Sequence, residues 1–301
     1  MKFFNLFILI AFCLSFLLAC DKNEDTVNPL AIDQCRNAKI KRVVNLDGNG
    51  EEFLIDSYTY DGDKIIQIDK NYTKPLFGAF NERHIISYPE NKVNYIIETD
   101  SEGEFVPAGK YEIISQDDVV IESTWFNYDN GQYVEAKKTF YEYDNSKLTA
   151  VNVFFNISGE FVQKGKVDIS YVNDDIENFL IYNLNENDEW LLSARRKYMY
   201  ENGRLANWVF SMRNDDGNWE DISKWIFHYS NGMISEIEKL ETYFGAWEQS
   251  FPPTNYFYDS SKRLIKTTSG SAATIGEYVE GSVDRTYLSS PEDKLFFEPQ
   301  F

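Results

Sequence analysis

Five of the six tryptophans fall between residues 190 and 247, and it is here that the sequence comes nearest to a ligand site. Trp190, Trp219 and Trp247 each follow a turn residue and one variable residue, and Trp208 and Trp225 lie among them. Wide indole faces stack on sugar rings or on peptide side chains, and the carboxylates of Glu220 and Asp221 stand beside them as hydrogen-bond acceptors. A plainer reading is hairpin packing, in which each cross-strand aromatic pair contributes a few tenths to about 1 kcal/mol with no ligand at all.

Other chemistry finds less support. His84 and His228 are the only histidines. Each sits beside a recurrent Tyr, phased to the opposite face, and is expected to be an exposed strand residue. No Gly-x-Ser-x-Gly elbow occurs, and nothing among the 49 acidic residues singles out a carboxylate pair for glycoside hydrolysis. Asp47-Gly48-Asn49-Gly50, Asn183-x-Asn185-x-Asn187-Asp188-Glu189 and Asn214-Asp215-Asp216-Gly217 are rich in oxygen ligands. They lack the twelve-residue loop with a terminal Glu that holds Ca²⁺, and hairpin turns need the same residues. Phosphate-cradling loops and Cys/His metal spacings are absent from the sequence. The expectation is a non-enzymatic protein with no cofactor and no metal.

The N-terminus carries an address. Lys2 precedes an apolar stretch, Phe3 to Leu18, shorter than a spanning helix requires, followed by Leu17-Leu18-Ala19-Cys20. This resembles the lipobox of bacterial lipoproteins, which implies cleavage before Cys20 and acylation of its thiol, with palmitate among the chains. Asp21-Lys22-Asn23-Glu24-Asp25 is similar to the charged signal that sends Bacteroidota lipoproteins to the outer membrane surface. In enterobacteria, Asp directly after the cysteine implies inner-membrane retention instead. Residues 1–19 therefore read as a signal peptide, 20–37 as a lipidated polar tether and 38–301 as the folded domain. Cys13 leaves with the leader and Cys20 is acylated, so Cys35 has no disulfide partner and reads as a buried thiol.

With 43% hydrophobic and 16% aromatic residues the chain has ample material for a core. A formal charge of −20, which loses Lys2 on processing, repels phosphate backbones and excludes nucleic acid as a partner. The expected partners are the membrane, through the lipid, and a polysaccharide or a surface protein.

A tyrosine followed by a turn cluster recurs at 60, 88, 143, 171, 200, 229, 258 and 287, with Ser115 in the missing place. The steps are 27 to 29 residues. Between these positions runs a second marker of turn residue, variable residue and aromatic, as in Gly131-Gln132-Tyr133 and Gly159-Glu160-Phe161. Two turns per unit and alternating polarity between them specify antiparallel hairpins. The predicted fold is an all-β meander of about nine tandem hairpin repeats ending in a strand near Lys294 to Glu298, curled into a spiral or barrel-like sheet. Pairs ten residues apart, such as Tyr133/Tyr143, Phe161/Tyr171, Trp190/Tyr200 and Trp219/Tyr229, share a face by parity. The face of Phe161, Val167, Ile169 and Tyr171 is predicted to turn inward.

Tyr141 to Leu148 and Tyr198 to Leu205, both Tyr-x-Tyr followed by an acidic turn, resemble the YD repeats of RHS-type bacterial surface proteins. The resemblance implies a sheet that coils into a shell and carries over no catalytic residue. The functional expectation is an outer-membrane, lipid-anchored binding or scaffold module, facing the surface or the periplasm. An envelope glycan hydrolase is the alternative, followed by a transmembrane β-barrel with the strand-end rings as interface girdles and Phe301 at its terminus. Mid-strand Glu135, Lys137 and Asp221 speak against lipid contact, since a Lys at the bilayer midplane costs roughly 2–4 kcal/mol.

Overall fold

The computed structural model of the chain describes residues 38–282, except 74–80, 117–118, 186–188, 215, 244 and 261–262. The leader, Cys20, the tether, Cys35, Tyr287 and the expected strand at Lys294 to Glu298 lie outside the described residues.

The described residues form strands and turns, with no helix among them. Strands β1 (Ala38–Leu46), β2 (Glu52–Asp61), β3 (Lys64–Tyr72), β4 (Glu82–Ser87) and β5 (Lys92–Ser101) open the chain. They are followed by β6 (Glu104–Gln116), β7 (Val119–Asp129), β8 (Gln132–Asp144), β9 (Lys147–Ile157) and β10 (Glu160–Val172). Next come β11 (Asp175–Leu184), β12 (Trp190–Glu201), β13 (Arg204–Arg213), β14 (Trp219–Ser230) and β15 (Met233–Tyr243). The last are β16 (Ala246–Gln249), β17 (Thr254–Tyr258), β18 (Leu264–Ser269) and β19 (Ala272–Ser282). Each pairs antiparallel with its neighbour in sequence, save that β16 and β17 both pair with β15 and occupy one position. β19 pairs with β1 from Ala38↔Ser282 to Leu46↔Ala273, which closes the meander into a barrel of 18 strand positions.

Turn chemistry sets the hairpins. Asn145 and Ser146 both have positive φ, as do Asn202 and Gly203, the two-residue turn whose twist matches that of the strands it joins. Less visible are two series of β-bulges. Beyond the tyrosine turns one residue is skipped in the pairing at Ile66, Ile121, Thr149, Glu177, Ala206, Ser235 and Ile265. Nearer the other end, Ala108, Ala136, Lys164, Ser193 and Ile222 are skipped in the even-numbered strands.

Each extra residue reverses the alternation of side chains. This corrects the parity expectation. Beyond Lys164, Val167, Ile169 and Tyr171 join the core, whereas Phe161 lies on the other face beneath Lys138, whose Nζ is 4.7 Å from its ring centroid. Tyr143, Tyr200 and Tyr229 likewise pack on the core, while Tyr133 and Trp219 meet the cations of Lys110, Arg195 and Arg213. A closed ring can shield only its inner face with its own strands. The face bearing Phe179, Val43, Val151 and Leu205, all almost wholly buried, is therefore the inner one.

The recurrent tyrosines complete the ladder where it stops short. Between β9 and β10 the last backbone pair is Ala150↔Asp168, and the Tyr171 hydroxyl donates to the next free carbonyl, Leu148 O, at 2.8 Å. Tyr143 does the same to Val120 O, Tyr88 to Ile65 O, Tyr229 to Leu205 O and Tyr258 to Ile234 O, at 2.8 to 2.9 Å. Ser115 is the instructive exception. Lacking a phenol, its unit extends the backbone ladder itself, through Lys92↔Ile114 and Ser115 N–H donating to Asn91 O.

Candidate functional site: the open end of the barrel

The inner face differs between the two ends. At the tyrosine turns, Ile65, Val93, Val120, Leu148, Ile176, Leu205 and Ile234 stand second in their strands and Leu264 first in its own, and their exposure runs only from 1% (Ile176) to 6% (Leu148). At the other turns, inward residues equally near a strand end are open. Val106, Val134, Phe155, Ile157, Leu191 and Met212 range from 40% (Val134) to 51% (Leu191). Pairings put these residues on the inner face: Phe155 sits opposite Lys137, Leu191 opposite Asn183 and Met212 opposite the buried Ala194. The barrel is filled at the tyrosine end and open at the other.

One wall of the interior is polar. On β2 to β5, buried His84 shares its Nδ1 with the Tyr95 hydroxyl at 2.9 Å and its Nε2 with Glu82 at 2.8 Å. Burial pushes the Tyr95 hydroxyl up to about 12. Burial alone would raise the Glu82 carboxyl too, but the hydrogen bond and charge of His84, with the charge of Lys70, leave it below its ordinary value. Asp56, almost wholly buried, faces the same wall. Both imidazole nitrogens are engaged and the phenol is a poor acid, so the group holds a wall together and offers no nucleophile. His84 was expected to be an exposed strand residue. It is instead an inner-face residue flanked by Ile68 and Ile97, with Ile85 taking the outward place.

The predicted site residues separate into three places. Trp208 and Trp225 are inner-face partners, stacked at 5.2 Å with 20° between planes, and Arg196 lies 4.3 Å from the Trp208 ring centroid. Trp219 faces outward between Arg195 and Arg213, and Asp221, on that face, accepts from Ser211 at 2.7 Å. Trp190, paired with Leu184, is outward too. Trp247 is exposed on short β16, opposite Thr242. Glu220, opposite Met212, accepts from the Asn214 amide at 2.7 Å. Only Trp208 and Trp225 are joined in one platform. Missed by sequence reasoning were the apolar mouth and the His84 wall, since bulge phase decides which residues point inward.

The outer face is ionic. Arg83 pairs with Asp69, Lys92 and Lys110 with Glu112, Lys166 with Asp168, and Arg42 with Glu52 and Glu277.

No protein family and no curated protein matches the chain. Among solved structures it is similar to a porin-like protein from Bacteroides uniformis ATCC 8492, at 7% identity and TM-score 0.44, over 81% of this chain and 99% of that one. A porin-like protein from Bacteroides vulgatus ATCC 8482 is 14% identical, with TM-score 0.42, over 81% of this chain and 100% of that one. A protein of unknown function from Bacteroides fragilis NCTC 9343 is 13% identical, with TM-score 0.36, over 42% of this chain and 99% of that one. Likenesses at this level carry nothing about activity.

Proposed function

We propose that the protein is a non-enzymatic binding module of the cell envelope, anchored in the outer membrane by a lipid on Cys20, with its ligand entering the open end of the barrel. The observation that carries this is the exposure of Phe155, Ile157, Leu191 and Met212 at one end of an inner face whose other end is buried. Inward apolar side chains left open to water cost free energy that a ligand with an apolar face recovers. A sugar ring or a peptide side chain provides such a face, and the stacked Trp208/Trp225 pair lies on the same inner wall.

Topology supports the orientation. β1 begins and β19 ends at the tyrosine end, where Ala38 pairs with Ser282. A tether on Cys20 thus enters the domain at the filled end, an arrangement in which the mouth is the end left free for a ligand. A glycan array with pull-down from envelope extracts tests the reading. Retention should be lost in the Leu191→Asp/Met212→Asp double variant at unchanged melting temperature. Equal retention by the variant would place the ligand elsewhere.

A second reading, favoured by the closed ring of 18 positions, makes this a membrane-spanning barrel. It requires the face bearing Arg83, Lys110 and Lys166 to meet lipid, at roughly 2–4 kcal/mol for each such cation at the midplane. Cys20→Ala separates the two. A lipid-anchored barrel becomes soluble, while a spanning one stays in the membrane fraction through alkaline extraction.

A further inference from the structure

On the outer face, several carboxylates are matched with Lys or Arg. Asp69 has Arg83, Glu112 has two lysines and Asp168 has Lys166. At one place a histidine stands where these pairs have Lys or Arg. His228 on β14 stands directly opposite Glu236 on β15, and Glu238 is two residues further along the same face. The ion pairs of both carboxylates among the described residues are with that single imidazole. Two carboxylates therefore share one imidazole.

The distances are informative. His228 Nε2 lies 3.8 Å from Glu236 Oε1 and 3.6 Å from Glu238 Oε1, both too long for hydrogen bonds. Two donors each about 2.1 Å from a tetrahedral ion are held about 3.4 Å apart, within a few tenths of what is seen. The other histidine gives the contrast: His84 and Glu82 close to 2.8 Å and leave no room for an ion. One atom from each of His228, Glu236 and Glu238 fits within a 4.8 Å span. The antiparallel rung and the two-residue repeat of the strand hold all three on one side of a stiff sheet.

We propose that His228, Glu236 and Glu238 form a surface site for a first-row divalent cation, with Zn²⁺ its best occupant. An imidazole with two carboxylates suits a borderline ion better than Ca²⁺, which takes six to eight oxygens. Three protein ligands leave one tetrahedral position outward, for water or an anionic group. The site stands apart from the mouth and does not depend on it.

Titration calorimetry with zinc chloride alone, on the purified full-length protein in chelator-free buffer, tests this. One equivalent should bind, and His228→Ala and Glu236→Gln/Glu238→Gln should each weaken binding by at least about tenfold, with circular dichroism unchanged. Asp168→Asn, on another outer-face pair, should leave it as it was. Co²⁺ should give the visible absorption of a low-coordinate site in the native protein and lose it in His228→Ala. Absent stoichiometric binding, native affinity in His228→Ala, or Ca²⁺ competing as well as Zn²⁺ would each overturn the assignment.

Discussion

The two ends of this barrel are built from the same strands and the same kinds of apolar residue, yet one is dry and the other wet. At the tyrosine end, a ring of Ile, Val and Leu is sealed by phenols that lie across neighbouring strands and satisfy the carbonyls the ladder leaves over. At the other end, equally apolar residues have no such seal. Burial is thus decided less by what a side chain is than by which turn it follows.

Substitutions can break or sharpen this contrast. The largest effect is expected at Trp208, where Trp208→Ala should cost about 3–5 kcal/mol in denaturant unfolding. Trp219→Ala, which removes an outward ring between two arginines, should cost about 1 kcal/mol or less. Equal losses would mean that both faces are packed. Next, Leu205→Ala should cost about 2–5 kcal/mol, whereas Leu191→Ala should stay below about 1 kcal/mol, because little of its side chain has left water. A large loss at Leu191 would remove the open end and the binding proposal with it.

Tyr171→Phe isolates the seal. It keeps the ring and orphans Leu148 O, at a cost of about 1–3 kcal/mol. A further effect is alkaline. Burial pushes the Tyr171 and Tyr95 hydroxyls up to about 12. Below about pH 10, the ordinary tyrosine value, both folded and unfolded chains hold these protons and stability does not change. Between about pH 10 and 12 the unfolded chain releases them first, so stability falls as pH rises. A melting temperature flat across that interval would show that these phenols are reached by water.

The period of the fold could be read from the sequence because two-residue turns demand positive φ, and Asn202-Gly203 or Asn231-Gly232 announce it. The bulges could not be read. Ala108, Ala136, Lys164, Ser193 and Ile222 have no positive φ and no shared chemistry, so nothing in their composition marks them. Missing them assigned Phe161 to the wrong face and concealed the inward place of Leu191. Closure was also hidden, since it rests on contacts such as Thr274 donating to Asn45 across 229 residues of chain. The Trp208/Trp225 pair was legible as residue type, but its stacking depends on a register that only the folded sheet fixes.

The pairing of Ala38 with Ser282 bears on how the chain could be rewired. The two ends of the described chain lie side by side in adjacent strands, so a short peptide could join them and the molecule could be opened at another hairpin. A circular permutant cut at Ser158-Gly159, a turn whose positive φ values put it at a loop tip, would keep every strand pairing of the ring. It would also move both termini, and any anchor fused to them, from the filled end to the rim of the open one.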